Sequence, residues 1–167
     1  DVTALLQDGA NEIEIVLGDG WYRSTSGVDG DRAIYGTRLA VFAQLETDGK
    51  IVVQTDESWE ASQDGPLAQN DMQQGEIYDA RREEKYREKK EQWHKVRAAA
   101  PGTEKLTAGN TVPIREQESF AGKLLRTPAG ETVLDFGQNL AGYVEFELEA
   151  KEGQTITLLH GETLDQN

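Results

Sequence analysis

Short runs in which apolar and polar residues alternate recur along the chain and predict β-strands. In residues 144–149, Val, Phe and Leu share one face and three Glu share the other, as in an antiparallel strand with one solvated side. Similar apolar runs occupy residues 13–17, 39–47, 51–55, 112–118, 123–127, 132–136 and 155–159. The pattern predicts an all-β fold that consists of two consecutive β-rich modules.

A β-hairpin is predicted over residues 38–56. Asp48 and Gly49 separate two apolar runs, and both residue types tolerate the positive φ angles that a type I′ turn requires. Residues 59–62 are predicted to form another short strand. Residues 67–78 are polar and show no clear period, so they are predicted to be irregular.

One segment, residues 82–92, has the composition of a short, charged surface helix. Glu83 and Arg87 have the i, i+4 spacing of a helical ion pair. Because such charge runs are typically solvated, we assign the segment no functional role. Trp93 and Val96 follow it and are expected to attach it to a sheet.

A turn-rich stretch at residues 101–110 predicts a domain boundary. The first domain is expected to cover residues 1–105 and the second residues 106–167. The chain starts with neither Met nor a signal peptide and ends abruptly, so we expect it to be a piece of a larger protein.

The charge of the chain restricts its partners. A formal net charge of −14 argues against nucleic acid and against an anionic membrane surface, since both attract clustered Lys and Arg. No apolar run in the sequence is long enough to span a membrane. A neutral sugar or a cation stays open as a partner. The lack of cysteine excludes thiolate chemistry and slightly favours a bacterial, cytoplasmic protein over a secreted one.

The segment from Gly18 to Arg23 is the first candidate site. Aromatic rings stack on the C–H face of a sugar, and Asp19 and Arg23 have the groups that bond its hydroxyls. The same residues also suit a sharp corner that packs Trp21 into a core, because buried Trp is common. Taken alone, the segment favours the packed corner.

A second polar segment, residues 70–81, combines amides, carboxylates, Tyr and Arg and suits a hydroxyl-binding loop. Alternatively, Asp79 and Arg81 pair to hold the loop and Tyr78 covers the core, which the segment alone slightly favours. The candidate sugar-binding residues of the two segments are Asp19, Trp21, Tyr22, Arg23, Asp71, Glu76, Tyr78 and Asp79.

Calcium is the one cofactor for which the sequence suggests candidate ligands. Asp29 and Asp31 place carboxylates at alternate positions, which suits this ion. The rest of an EF-hand loop is missing, so the site requires distant groups such as Asp71 or Glu76. Among 31 acidic residues accidental pairs are frequent, so no pair is assigned to glycoside hydrolysis and no catalytic residue is predicted.

Seven blocks of sequence together resemble the bacterial α-L-rhamnosidase family. They are LGDGWYR (17–23), YG (35–36), AQLE (43–46), TDESW (55–59), GEIYDAR (75–81), DFGQN (135–139) and HGETLD (160–165). No single block is decisive, but the combination of the first, the fifth and the sixth is specific. The resemblance extends from near residue 1 to residue 167.

The resemblance implies that residues 1–105 form an antiparallel, jelly-roll-like β-sandwich, lacking its first strands, which in some members binds rhamnose with calcium. Residues 106–167 would begin a second β-domain. The family's acidic catalytic pair lies in an α/α barrel that would follow further along the parent chain. Two features depart from the family pattern: the charged segment 82–92, and Gln73-Gln74, where related sequences often have Tyr-Asn.

Two functions follow as expectations. The resemblance implies a non-catalytic accessory piece of an enzyme that releases terminal L-rhamnose by inverting hydrolysis. Its expected partners are a rhamnose-containing carbohydrate, which it would bind, and the catalytic barrel, which it would brace. The alternative is a purely structural domain in which Trp21 and Tyr22 are buried. Hydrolysis by the piece itself is the weakest hypothesis.

Overall fold

The structure is a computed structural model that describes residues 1–88, 92–99, 107 and 109–164. The chain divides into two compact units, Asp1–Pro101 and Gly102–Asn167. Among the described residues, no helix is both long and apolar enough to cross a membrane.

The first unit contains short strands joined in antiparallel pairs. The strands are β1 (Thr25–Ser26), β2 (Asp31–Arg32), β3 (Gln44–Thr47), β4 (Lys50–Gln54), β5 (Glu60–Ala61), β6 (Leu67–Asp71), β7 (Gly75–Tyr78) and β8 (His94–Lys95). They pair as β1–β2, β3–β4, β5–β8 and β6–β7. A 3₁₀ turn at Thr3–Leu5 and α1 at Gly20–Arg23 precede β1, and a 3₁₀ turn at Ala80–Arg82 and α2 at Lys85–Glu88 lie between β7 and β8.

The second unit contains the antiparallel hairpin of β9 (Lys123–Arg126) and β10 (Thr132–Asp135). Both strands lie within runs that the sequence predicts to be strands. The connecting turn is closed by a hydrogen bond of 3.1 Å from the Thr127 amide to the Glu131 carbonyl, and Gly130 has a φ of +89°. All strand pairs of the described residues are antiparallel, so the predicted all-β, antiparallel class is confirmed.

The predicted hairpin over residues 38–56 is also confirmed. Strands β3 and β4 pair with Thr47 opposite Lys50, and a bulge lies between Leu45 and Glu46. Asp48 and Gly49 have φ angles of +49° and +71°, as a type I′ turn requires. The turn chemistry therefore determines this element locally.

Several predictions of secondary structure are wrong. Residues 67–78, predicted to be irregular, form the hairpin β6–β7, whose turn ends at Gly75 with a φ of +83°. Residues 13–17, 112–118, 144–149 and 155–159 are described but enter no ladder. Alternation specifies which face of a strand is apolar, but it does not supply a partner strand.

The charged segment is helical for one turn, α2, among its described residues, while residues 89–91 lie outside them. Arg87 pairs with Glu14 at 3.1 Å, which corrects the predicted pairing with Glu83. Tyr86 stacks on Trp93 with ring centroids 6.1 Å apart. The Trp93 indole N–H donates to the Tyr86 carbonyl at 2.8 Å.

The predicted attachment of this segment to a sheet is confirmed for Val96, whereas the contacts of Trp93 are with Tyr86 of α2. The Val96 amide donates to the Trp59 carbonyl at 3.2 Å, which continues the β5–β8 pairing. Lys95 on β8 forms an ion pair of 3.1 Å with Glu60 on β5. The charged segment is therefore held between Glu14 at one end and strand β5 at the other.

The described residues that are buried are all polar or charged. The buried residues are Asp19, Ser24, Ser26 and Asp71, and no hydrophobic side chain among the described residues is buried. Strand β4 illustrates the contrast, because Ile51, Val52 and Val53 are all exposed. The group of buried polar residues is therefore the best-defined interior feature of the first unit.

Candidate functional site

The segment from Gly18 to Arg23 forms a tight entry into α1. A Cβ atom at residue 18 would overlap Oδ1 of Asn70 on β6, so glycine allows that side chain to approach the backbone. Gly20 has a φ of +51°, which also favours glycine. The two glycines flank Asp19 and fix where its carboxylate points.

Asp19 is 5% exposed and accepts hydrogen bonds from two arginines. The Arg23 Nε lies 2.6 Å from Oδ1, one helical turn further on. The Arg32 guanidinium, which comes from β2, donates to the other carboxylate oxygen. Charge-assisted bonds of this kind compensate for the cost of burying a carboxylate.

Asp71, at the end of β6, is 6% exposed and organises the surrounding backbone. Its Oδ1 accepts from the amides of Gln73 and Gln74, each at 2.9 Å. Its Oδ2 accepts from the Thr25 amide at 2.8 Å and the Thr25 hydroxyl at 3.0 Å. These bonds, the Gln74 amide first and the Thr25 amide second, hold the pKa of Asp71 well below its usual range.

Arg32 connects the two buried carboxylates. Its Nε lies 3.5 Å from Oδ2 of Asp71, while its terminal nitrogen binds Asp19. We call Asp19, Arg23, Arg32 and Asp71 the Asp19–Asp71 cluster. Next to it, the Ser24 hydroxyl accepts from the Met72 amide at 3.0 Å. The cluster thus joins α1, the β1–β2 hairpin and the β6–β7 hairpin.

A polar cleft of about 220 Å³ opens beside this cluster. Its lining residues are Leu17, Gly18, Asp19, Arg23, Arg32, Leu67, Ala68, Gln69 and Asn70. Amide, guanidinium and carboxylate groups line it together with two leucines. The cleft therefore offers several hydrogen-bonding groups and a small amount of apolar wall.

A more open groove of about 460 Å³ runs along β4 and ends at Trp59. The Trp59 indole N–H already donates to the Gln54 carbonyl at 3.1 Å. Most of the wall is the exposed strand Ile51–Gln54. The cleft at Asp19 is smaller, but it brings together more charged and hydrogen-bonding side chains, so it is the better candidate for chemistry.

The aromatic residues of α1 are on the surface. Trp21 is 70% exposed, so the interpretation of this residue as a buried corner is wrong. Tyr22 is 45% exposed, and its hydroxyl lies so close to Gly36 that a Cβ atom there would overlap it. Tyr22 therefore packs on the loop before Thr37, while Trp21 is free to contact a ligand.

The remaining candidates lie along and after β7 and make local bonds. Glu76 accepts from the Asn70 amide group at 3.2 Å. The Tyr78 hydroxyl donates to Glu83 at 2.5 Å, and this bond raises the pKa of Tyr78 to about 12. Of these residues, Glu76 is linked to the cleft through Asn70.

Asp79 has a capping role. Both of its oxygens accept from the Arg81 guanidinium at 2.8 Å, and Oδ1 also accepts from the Arg81 amide at 3.2 Å. The hydrogen bond from the Arg81 side chain lowers the pKa of Asp79 to about 2. The sequence alternative in which Asp79 and Arg81 pair to hold the loop is therefore present in the structure.

The residues suggested for calcium do not form a matching donor set. Asp31 lies in β2 opposite Ser26, and both Asp29 and Asp31 are exposed. In the described part of the chain, no three His, Cys, Asp or Glu residues come together as a metal site. Asp71, the distant ligand considered, already accepts four hydrogen bonds from Thr25, Gln73 and Gln74.

Arg32 is the charged residue of the site that sequence reasoning missed. Its partner Asp19 precedes it by 13 positions, and its partner Asp71 follows on a different hairpin. A local signal existed in the run Asp29-Gly30-Asp31-Arg32, where a cation follows two carboxylates. That run pointed to the acids as ligands, whereas the arginine is the residue that enters the site.

The described strands place the chain in the all-β, antiparallel class, with a polar cleft in its first unit. Residues 1–118 match the family described as the α-L-rhamnosidase N-terminal domain, and residues 125–167 match the bacterial α-L-rhamnosidase concanavalin-like domain. The chain belongs to the bacterial α-L-rhamnosidase family. The family predicted from the seven sequence blocks is therefore confirmed.

Curated relatives agree with this assignment. An α-L-rhamnosidase of Streptomyces avermitilis is 34% identical over 99% of this chain and 17% of its own length. An α-L-rhamnosidase of Formosa agariphila is 29% identical over 100% of this chain and 19% of its own length. An α-L-rhamnosidase of an Alteromonas species is 30% identical over 98% of this chain and 19% of its own length. The chain therefore spans less than a fifth of the length of these relatives. No solved structure matches it significantly.

Proposed function

We propose that the chain is a non-catalytic accessory part of an α-L-rhamnosidase and that the cleft at Asp19 binds carbohydrate. The observation that carries the proposal is the exposed Trp21 on α1, the same helical turn that contributes Arg23 to the polar cleft. An exposed indole beside hydrogen-bonding groups provides a stacking surface and orienting contacts for a sugar ring.

The charge of the cleft favours a neutral ligand. Two carboxylates and two guanidinium groups neutralise each other within the Asp19–Asp71 cluster. Gln69 and Asn70 then offer uncharged donors and acceptors on the facing strand β6. The relatives are named α-L-rhamnosidases, so a terminal L-rhamnose of a glycoside is the ligand of first choice.

A second role, bracing of a catalytic domain, is supported by a different observation. Apolar side chains of β4 and of the β9–β10 hairpin are exposed, among them Val52, Leu124 and Leu134. In a two-layer β-sandwich such residues face the opposite sheet or a neighbouring domain. On this ground, the proposal includes that these apolar side chains complete a β-sandwich and contact a catalytic barrel.

Titration of the 167-residue chain with L-rhamnose, followed by NMR or calorimetry, tests the binding role. We expect Trp21→Ala to weaken binding by up to about tenfold, because an aromatic contact contributes roughly 0.5–1.5 kcal/mol. The matched control is Tyr143→Ala, which removes an equally exposed aromatic ring from the second unit. Absence of shifts at millimolar sugar, or equal weakening by both variants, would exclude the cleft as a sugar site.

An assay with an aryl α-L-rhamnoside tests the non-catalytic role. The expected result is no release of the aryl alcohol above the uncatalysed rate. Sustained turnover by the purified chain would show that it carries catalytic groups of its own and would overturn the accessory assignment.

A further inference from the structure

We propose that the Arg32 guanidinium does in this chain what a divalent cation would otherwise do, and that the first unit folds and keeps its cleft without calcium. The proposal concerns the charges that hold the cleft together and does not depend on whether a sugar binds there. It rests on three features of the Asp19–Asp71 cluster: its charge balance, the saturation of Asp71 and the position of Arg32.

The first feature is the charge balance of a buried group. The side chains of Asp19 and Asp71 are 6% and 2% exposed, so each carboxylate needs a compensating charge or several donors. Arg23 compensates Asp19 from within α1. Arg32 is the side chain that contacts both carboxylates, as a bridging metal ion would.

The second feature is the saturation of Asp71. An ionised carboxylate has about four lone-pair directions, and four N–H or O–H groups occupy them in this structure. Calcium requires six to eight oxygen ligands at about 2.3–2.6 Å. To ligate calcium, Asp71 would have to release the Thr25 bonds that connect the two hairpins or the Gln73 and Gln74 amides that close its own turn.

The third feature is the position of Arg32 at the surface of the cluster. Its side chain is 54% exposed, while the carboxylates beneath it are almost inaccessible. A cation that binds these carboxylates must compete with the guanidinium for their oxygens. The planar fork of arginine can place separate N–H groups on two carboxylates, which a lysine ammonium on a flexible stem does less well.

Unfolding of the 167-residue chain in EDTA and in millimolar CaCl₂ gives the first test. We expect the same thermal midpoint in both solutions and no saturable calcium binding by equilibrium dialysis. A higher midpoint in CaCl₂, or stoichiometric calcium binding by the unaltered chain, would overturn the proposal.

Replacement of the guanidinium gives the second test. Arg32→Met is expected to lower the unfolding midpoint and to make it respond to CaCl₂, because two buried carboxylates then lack their shared cation. The matched control, Arg38→Met, removes an exposed arginine of the same unit and should change neither property. Equal stability of the two variants would show that Arg32 does not compensate the carboxylates.

A double variant keeps the test decisive if Arg32→Met does not fold. In Asp19→Asn combined with Arg32→Met, one negative charge is removed together with the positive charge. We expect this chain to recover part of the lost midpoint and to lose the calcium response. A double variant no more stable than the single one would contradict the assigned role of Arg32.

Discussion

The β3–β4 hairpin and the Asp19–Asp71 cluster lie in the same unit but are built in opposite ways. The hairpin connects residues that are close in sequence through the Asp48-Gly49 turn, and its strand β4 is exposed throughout. The cluster and the bonds next to it join residues 46 and 48 positions apart, from Thr25 to Asp71 and from Met72 to Ser24. Local turn chemistry creates the first, and long-range polar contacts create the second.

This difference determines how each region responds to change. In the hairpin, the backbone ladder persists as long as the turn can form, so surface side chains contribute little. In the cluster, two carboxylates are buried, and removal of Asp19 takes away the acceptor that Arg23 and Arg32 share. Mutations should therefore have larger effects in the cluster than in the hairpin.

The largest effect is expected for Asp19→Ala. The change removes the acceptor of two charge-assisted hydrogen bonds, from Arg23 and Arg32, and should lower the free energy of unfolding by roughly 2–3 kcal/mol. Chemical denaturation of both chains measures this difference. Asp64→Ala, at an exposed acid, is the control and should stay within about 0.5 kcal/mol of the unaltered chain. If both substitutions lowered the free energy of unfolding equally, the cluster would be no more sensitive to mutation than the surface.

A smaller decrease in the free energy of unfolding, measured by the same chemical denaturation, is expected for Gly49→Val in the hairpin. The residue has a φ of +71°, and a branched side chain in this region costs about 1–2 kcal/mol. Gly65→Ala is the matched control, because a Cβ atom at residue 65 meets nothing within 4 Å. If Gly49→Val lowers the free energy of unfolding more than Asp19→Ala does, the ranking of the two regions is reversed.

Acid should weaken the β6–β7 region before it weakens the β3–β4 hairpin. The pKa values of Asp71 and Asp79 are lowered in the folded chain, so these groups stabilise it at any pH above their unfolded value of about 4. That contribution decreases as the pH falls from about 4 towards the folded value, which is about 2 for Asp79. Amide spectra recorded over this range should change first at Thr25, Gln73 and Gln74. Simultaneous changes at Ile51 and Val53 would contradict this order.

The smallest effect is expected for Lys95→Ala. The Lys95–Glu60 pair is formed between side chains that are 63% and 47% exposed, and such pairs contribute about 0–1 kcal/mol. Urea denaturation should show a change of about 0.5 kcal/mol or less, which decreases further at high salt. A loss comparable to that of Asp19→Ala would mean that surface pairs hold the β5–β8 pairing.

The elements that the sequence predicted correctly are those whose cause is local. Asp48-Gly49 specifies a turn by itself, and the apolar runs around residues 124 and 134 are short enough to pair across one turn. The β6–β7 hairpin was missed because its strands are polar and its turn is stabilised by the carboxylate of Asp71. Periodicity carries no signal for such a turn.

The candidate site was predicted in part. Asp19, Arg23 and Asp71 were singled out for their chemistry, and the structure brings them together. Arg32 and the hydroxyl groups of Ser24 and Thr25 were missed, because their roles depend on contacts between hairpins. The exposure of Trp21 was also unpredictable, since the same indole suits a core or a surface.

The bonds of Asp71 have a consequence for how this loop can diversify. Its carboxylate accepts hydrogen bonds from the backbone amides of residues 73 and 74, and these bonds do not involve the side chains of the two residues. The side chains of Gln73 and Gln74 can therefore be exchanged without altering the path of the loop. Positions 73 and 74 can therefore accept different side chains on an unchanged loop, and a combinatorial library at these two residues should yield folded proteins.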